Sequence, residues 1–576
     1  MVKDASNGAA RALLAACEAA RTGSAPPKMS RRAERVIVVA DLSKKGFAMA
    51  PHAEPATVAG PLTAFRKADS EALAGAFSRL VGTFWTGGVL TDPASARDAV
   101  PDLLAAWDGA DAAHRGHLAI ALGLFAEAEY PALDGPVATA VRAGLDAVLD
   151  EVRGTTAVTP LTLASLYLLS HFPHERARIW PAFDGVPLDP DDRTRLDRGL
   201  TLLDPDDPDL GRAWPSPFDW AIDEQEREFD RAWIRTLTPE QVVTTWNDDT
   251  RTMWATAGAK ALWSVTNGVV PTPVADQSPY WAALHEAPGA VDATSFGRHE
   301  AALRCTSCGS ALTFQTKGAR CQSCSTFYPV TVGGILDLSR RERSGAGVSD
   351  DAEDVEADVL QNAAVMSTVG QHYESGLRPA FLRIMGQNWD GGVTPAIEDA
   401  YIADRLRAAA EARADGPVLD LAAGAGRWTW VVTDAVGADR VIALDLNDAM
   451  LYWLRGRLPQ VAAVRASALE LPLADGSLTA ANFWNALQAV PDAAQALAEV
   501  GRCLRPGGVL TLMTFRWADD AVYRYFQHSH IFPGAPDGYL LFEREEIRSW
   551  LAAAGLSVVE ESGPGTFVFI TAKREG

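Results

Sequence analysis

The sequence predicts a multidomain chain: a mainly α amino-terminal half, a small zinc ribbon, and an α/β carboxy-terminal domain. Three observations carry that expectation. Between residues 60 and 290 apolar residues recur at helical spacing, broken by short Asp, Gly and Pro punctuations. Two Cys-x-x-Cys knuckles follow, at Cys305 to Cys308 and Cys321 to Cys324. Beyond them, the apolar run Val418-Leu-Asp-Leu421 enters a small-residue turn and then a helical pattern.

Taken in order, residues 1–55 are expected to hold an Ala-rich helix, a linker at 23–32 and an isolated strand at 35–40. Residues 56–295 form the α-helical domain, with helices at 96–107, 111–130, 136–152, 160–170, 191–203, 223–237 and 239–265. Helical hairpins, solenoid-like in style, fit this texture, although no repeat of fixed period is visible. The region is rich in tryptophan, including Trp214, Trp220, Trp233, Trp246, Trp254 and Trp263. Such residues plug gaps between helices or line an aromatic groove for a planar or peptide substrate. His171-Phe-Pro-His174 reads as a pair at a helix end, with a shared ion as the alternative.

The knuckles are separated by twelve residues and define a ribbon over 300–340. Four thiolates in two tight turns close a tetrahedral structural Zn2+ site on Cys305, Cys308, Cys321 and Cys324, with no position left for catalysis. Two disulfides or free thiols are the alternative, and a reducing cytosol disfavours disulfides. Residues 341–362 read as a flexible acidic linker, and 363–576 as the α/β domain.

Composition sets the boundaries on partners. No apolar run is long enough to span a bilayer, and the first 23 residues mix acidic and basic side chains unlike a secretory signal, so a soluble, cytoplasmic protein without membrane association is expected. The net charge of -22 works against a nucleic-acid partner, whose affinity comes from neutralised phosphates.

The turn Ala422-Ala-Gly424-Ala-Gly426 lets backbone approach a ligand, and the amides opening the next helix point at it. A second apolar strand, 440–444, ends in Asp445, placed to accept ribose hydroxyls. A dinucleotide fingerprint needs a third glycine where Arg427, Trp428 and Thr429 stand, so the turn favours S-adenosylmethionine (SAM).

From about 416 to 573 the chain resembles the class I, Rossmann-like SAM-dependent methyltransferases, which implies a seven-stranded, mostly parallel sheet. The resemblance assigns Asp420, Ala422, Gly424 and Gly426 to the first motif, with alanine at 422 replacing the family's first glycine. It assigns Asp445, Leu446 and Asn447 to the adenosine, Ser467 and Ala468 to adenine, and Asn485 to the loop facing the methyl group. Ser467 departs from the usual acidic residue, and Leu478-Thr479 from the usual Phe-Asp. Tyr373, in a segment resembling the family's pocket cap, is expected to line the cofactor. Phe327-Tyr-Pro-Val330 and Gly333-Gly-Ile-Leu-Asp337 make the ribbon similar to those preceding many bacterial methyltransferases and to the small zinc-ribbon activator of tRNA and protein methyltransferases.

The implied chemistry is in-line displacement at the sulfonium methyl, catalysed mainly by alignment. Where the acceptor must lose a proton, His528, His530 and His372 are the candidate bases. The expected acceptor is an O or N atom of a small molecule or peptide of specialised metabolism; RNA is the alternative, and an inactive scaffold the third reading. The helical half is left with three roles: binding substrate, regulating, or forming a homodimer.

Overall fold

In the computed structural model, residues 58–86, 89–208, 235, 238–271, 289, 291–331, 333–339, 378–413, 415–530 and 540–576 are described. The strand expected at 35–40, the helix at 223–237, the linker at 341–362, and His372 and Tyr373 lie outside them.

The helical region runs α1 (Ala59–Arg66), α2 (Leu73–Gly82), a two-residue hairpin β1 (Trp85–Thr86) and β2 (Val89–Leu90), α3 (Pro93–Trp107), α4 (Ala112–Glu127), α5 (Pro136–Arg142), α6 (Leu145–Val152), α7 (Pro160–Leu169), α8 (Arg176–Ile179), α9 (Pro190–Gly199) and α10 (Pro239–Asn267). Local chemistry sets the ends. Asp111 caps α4 through the His114 amide, Thr159 and Thr162 form a capping box on α7, and Gly268 ends α10 at φ 68°. The helix expected over 136–152 is two helices, meeting at Gly144, where Leu104 packs so closely that a Cβ would collide with it.

Helix α4 is buried on all sides from Gly116 to Glu127, as a core helix must be, and it packs against α7 and α10, which also touch each other. This makes a bundle in which the late helix α10 returns across earlier ones.

The ribbon contains β3 (Leu312–Gln315), β4 (Gly318–Cys321) and β5 (Phe327–Pro329), antiparallel in the order 3-4-5. Its tail, β6 (Leu336–Asp337), leaves that sheet and joins another.

The α/β domain comprises α11 (Arg378–Gly386), α12 (Pro395–Ala412), β7 (Val418–Leu421), α13 (Arg427–Val436), β8 (Val441–Asp445), α14 (Asp448–Arg457), β9 (Ala462–Arg465), β10 (Leu478–Trp484), α15 (Ala493–Cys503), β11 (Leu504–Phe515), α16 (Ala521–Ser529), α17 (Arg544–Ala553), β12 (Leu556–Ser562) and β13 (Phe567–Arg574). Their sheet has the order 12-13-11-10-7-8-9-6, with β13 antiparallel to both neighbours and the rest parallel. It has eight strands rather than the expected seven. The eighth is β6, whose Leu336 pairs with Val464 and Asp337 with Arg465, covering the open edge of β9. A two-residue strand has too little periodicity to be read from sequence. The ribbon's base is stitched alongside: the Arg304 amide donates to Pro472 O at 2.8 Å, and that of Ala474 to Ala302 O at 2.8 Å.

The helical region and the eight-stranded sheet share one hydrophobic core. At the junction, α16 lies on α10, where Gly258 leaves a notch filled by the Phe526 ring. Tyr167 meets Phe526 edge-on at 5.4 Å and Trp85 meets Tyr525 at 4.6 Å. The Ser78 hydroxyl donates to Asp520, the carboxylate that also caps α16.

Candidate cofactor crevice and cysteine cluster

Strand order reverses between β7 and β10: from β7 the sheet grows through β8 and β9 on one side and through β10 and β11 on the other. Loops leaving adjacent strands in opposite directions open a crevice at their carboxyl ends, the usual ligand position in such sheets. The turn 422–426 leaves β7, and Asn485 leaves β10.

The turn is built for close approach. Ala422, Gly424 and Gly426 all have positive φ, at 56°, 52° and 91°. A Cβ added at Gly424 would meet nothing within 4 Å, so open space lies over the turn, whereas at Gly426 it would press on Leu454. Alanine at 422 in the left-handed region stores mild strain in place of the glycine usual there.

Two buried carboxylates flank this turn. Asp420, 2% exposed, accepts from Thr429 Oγ1 at 2.5 Å and Asn482 Nδ2 at 2.8 Å, and Asn482 accepts in turn from Thr511 at 2.9 Å. Burial pushes its pKa up to about 6, against the pull of those two donors. Asp445 receives the Gly424 amide on Oδ2 at 2.7 Å and the Asn447 amide on Oδ1 at 2.8 Å. Burial raises its pKa too, opposed by these amides. The Leu446 amide bears on the same carboxylate, and of its about four acceptor positions one remains for a ribose hydroxyl. That donor set fits a ribose, and the cleared turn fits the chain attached to it.

The remaining expected residues fall around the same crevice. Asn447 caps α14 through the Met450 amide at 3.1 Å, and Ser467 Oγ accepts from the Leu469 amide at 3.1 Å, with Ala468 buried beside it. Leu446 offers its carbonyl to Arg465 Nε at 3.0 Å. Asn485, with φ 56°, accepts from Gln488, which accepts from Thr514 at 3.0 Å.

The histidines separate. His528 is exposed and 6.2 Å from the Trp517 ring. His530 is fully buried, and burial, with Arg195 of α9 nearby, pushes its pKa down to about 3, leaving it neutral. Of the other pair, His171 bonds buried Glu127 at 2.9 Å and stacks on Trp254, whereas His174 is exposed towards Asp134.

Sequence reasoning missed the first turn of α12. Fully buried Glu398 accepts from Trp484 Nε1 at 2.8 Å, and Asp399 grips Arg427 at 2.6 and 2.8 Å. It also missed Asn482, for which a signal existed: a polar amide in the middle of the largely apolar strand 478–484.

In the ribbon, four sulfurs lie within 4.8 Å of one another. Cys305 to Cys324 is 3.6 Å and Cys308 to Cys321 is 3.4 Å. These spacings are far beyond the ~2 Å of a disulfide and close to the ~3.8 Å edge of a tetrahedron with ~2.3 Å metal–sulfur bonds. Backbone amides of Ser323 and Cys324 donate to Cys321 Sγ, and the Thr326 hydroxyl holds the Cys324 thiol down to about 6. The residues therefore fit a thiolate-bound ion.

A family model described as a methyltransferase domain matches residues 418–508, from β7 into β11. A demethylmenaquinone methyltransferase of Beutenbergia cavernae is 34% identical over 163 residues, 26% of this chain and 67% of that protein. An uncharacterised chloroplastic methyltransferase of Arabidopsis thaliana is 28% identical over 214 residues, 35% of this chain and 56% of its own length. A solved S-adenosylmethionine dependent methyltransferase from Mesorhizobium loti is 20% identical, covering 28% of this chain and 91% of its own with a TM-score of 0.24. The chain thus spans about half to two thirds of the length of these sequence relatives.

Proposed function

The chain belongs to the class I SAM-dependent methyltransferases, and from that premise we propose that it methylates an O or N atom of a small molecule or peptide, with Zn2+ held structurally by its ribbon. The observation that carries the cofactor assignment is the crevice at the sheet's reversal point, with a cleared Gly424 turn and an amide-anchored Asp445. SAM supplies an electrophilic methyl group there. The protein's own work is positional: Asp445 and Asn447 hold the nucleoside end, the 422–426 turn admits the amino-acid end, and the Asn485 loop borders the methyl.

Two observations support a small acceptor. The net charge of -22 opposes a polyanion. The tail of the ribbon is consumed in pairing with β9, so that edge serves the catalytic sheet rather than presenting a free reading surface. Acceptor deprotonation, where required, falls to His528, the exposed histidine of the α16 segment, rather than to sealed His530; His372 and Tyr373 keep only the roles that the family resemblance implies. Among the described residues no helix is long and apolar enough to cross a membrane.

Calorimetric titration with SAM and S-adenosylhomocysteine (SAH) tests the cofactor reading. Micromolar binding is expected, and Asp445→Ala should weaken it by about 1.5–3 kcal/mol through loss of a charged acceptor. Unchanged affinity in that variant would show that Asp445 does not hold the ribose.

A further inference from the structure

A cavity of about 360 Å³ lies in the helical region, bounded by the chain after α4, the carboxyl end of α9 and one stripe of α10. The function proposed above makes no use of it. Residues four apart on a helix share a face, so Trp246, Thr250 and Trp254 form one wall, with Asn247 beside them. Tyr130, from the turn after α4, meets Trp254 edge-on at 4.8 Å and completes the aromatic lining. Leu202 adds apolar surface and is 47% exposed.

Each ring is held by a partner of its own. The Arg198 guanidinium sits 3.4 Å from the centroid of Trp246. His171 stacks on Trp254 at 4.2 Å, while that indole donates to Ser170 O at 3.3 Å. The Tyr130 hydroxyl donates to Asn247 Oδ1 at 2.8 Å. Rings fixed in this way cannot swing inward to fill the space, and tryptophans that merely plugged gaps between helices would leave none between them. The volume stands at the lower end of the ~300–1,000 Å³ of small-molecule pockets, enough for two or three fused rings.

The lining also sets the chemistry of an occupant. Besides Arg198 on Trp246, Arg251 lies 5.8 Å from the Tyr130 centroid. Two guanidinium groups at the rings repel a cation, which removes the quaternary-ammonium ligands that aromatic cages take elsewhere. Asn247 engages its carbonyl oxygen with Tyr130, so its amide presents N–H donors. The hydroxyls of Thr201 and Thr250 already donate to backbone carbonyls, at 2.7 and 2.8 Å. We infer that this cavity binds an uncharged, flat aromatic carbonyl compound, stacked among Trp246, Trp254 and Tyr130 with its carbonyl oxygen on the Asn247 amide. No residue of the cofactor crevice enters this assignment, which therefore stands apart from the SAM reading.

Calorimetry on the full-length protein with three naphthalenes tests it: acetylnaphthalene, its carbonyl-free analogue ethylnaphthalene, and naphthyltrimethylammonium. Acetylnaphthalene should bind once per chain, with ethylnaphthalene about tenfold weaker and the cation about 100-fold weaker. Asn247→Asp keeps an acceptor for the Tyr130 hydroxyl but puts oxygen in place of the N–H donors. It should weaken acetylnaphthalene about tenfold and leave ethylnaphthalene within about threefold. Leu202→Trp, at an exposed position, should block both ligands, with thermal unfolding of each variant reporting that the fold is intact. Failure of the wild-type protein to bind acetylnaphthalene, or a preference for the cation, would overturn the assignment without any variant. Equal weakening of both naphthalenes in Asn247→Asp would overturn the role of the amide, and full retention of both in Leu202→Trp would place them outside this cavity.

Discussion

Replacing Gly258 by alanine asks whether the helical region and α16 are packed as one body. The added Cβ would stand 2.4 and 2.5 Å from two ring carbons of Phe526, whereas favourable carbon contacts begin near ~3.5 Å. The ring has nowhere to retreat. It is fully buried, with Tyr167 edge-on at 5.4 Å and Tyr525 at 5.8 Å. Helix propensity favours alanine over glycine by about 1 kcal/mol, while overpacking a filled core costs about 1–3 kcal/mol. With the middle value, Gly258→Ala should destabilise by about 1 kcal/mol net. Phe526→Ala alone should cost about 3–5 kcal/mol, but in that background the notch is empty and alanine at 258 should stabilise by about 1 kcal/mol. The sign of one substitution thus inverts with the other, a coupling of about 2 kcal/mol. Urea unfolding of the four proteins, with amide exchange monitored in α10 and α16, measures it. Additive effects, or stabilisation by Gly258→Ala in the wild-type background, would refute the packing argument.

The other expectations concern charge and metal. Asp420 has its pKa raised from 3.8 to about 6, so the folded state binds more protons than the unfolded state between those values and stability from this group falls as pH rises. Asp420→Asn removes the term; its stability relative to wild type should improve by about 1 kcal/mol from pH 5 to pH 7, and a difference constant with pH would contradict the burial argument. For the ribbon, metal analysis should return one zinc per chain, with the four thiols protected until a chelator is added. Thiols that react at once in native protein holding well under one zinc would defeat the proposal. Zinc removal should also weaken SAH binding, because Asp337 of β6 contacts Arg465, which holds the Leu446 carbonyl beside the nucleoside site.

Much of the catalytic half was legible because its signals are local. A strand entering a glycine turn is written in consecutive residues, and so are two cysteine knuckles. Asp420 stands within β7 and Asp445 ends β8, as the sequence placed them, but the polar residues gathered around them do not follow from spacing. Asn482, Thr511, Glu398 and Asp399 converge only through sheet register and the seat of α12, over separations of up to 86 residues. The split falls at Gly144, a glycine inside an otherwise helical pattern, and Leu104 packs where its Cβ would stand. The eighth strand was hidden because two residues define no alternation. His528 and His530 looked equivalent in sequence; two residues of spacing put one in solvent and the other in a sealed interior.

The notch at Gly258 and the edge strand β6 also constrain how the polypeptide matures. Both lie upstream of their counterparts, α16 and β9, in the order of synthesis. While the chain grows, the earlier segments leave the ribosome with an apolar groove and an open strand edge facing water, features that invite wrong partners. Productive folding is therefore postponed until the last quarter of the molecule has emerged, and fragments that end before α16 should aggregate even though several of their own helices, such as α4, α7 and α10, are capped.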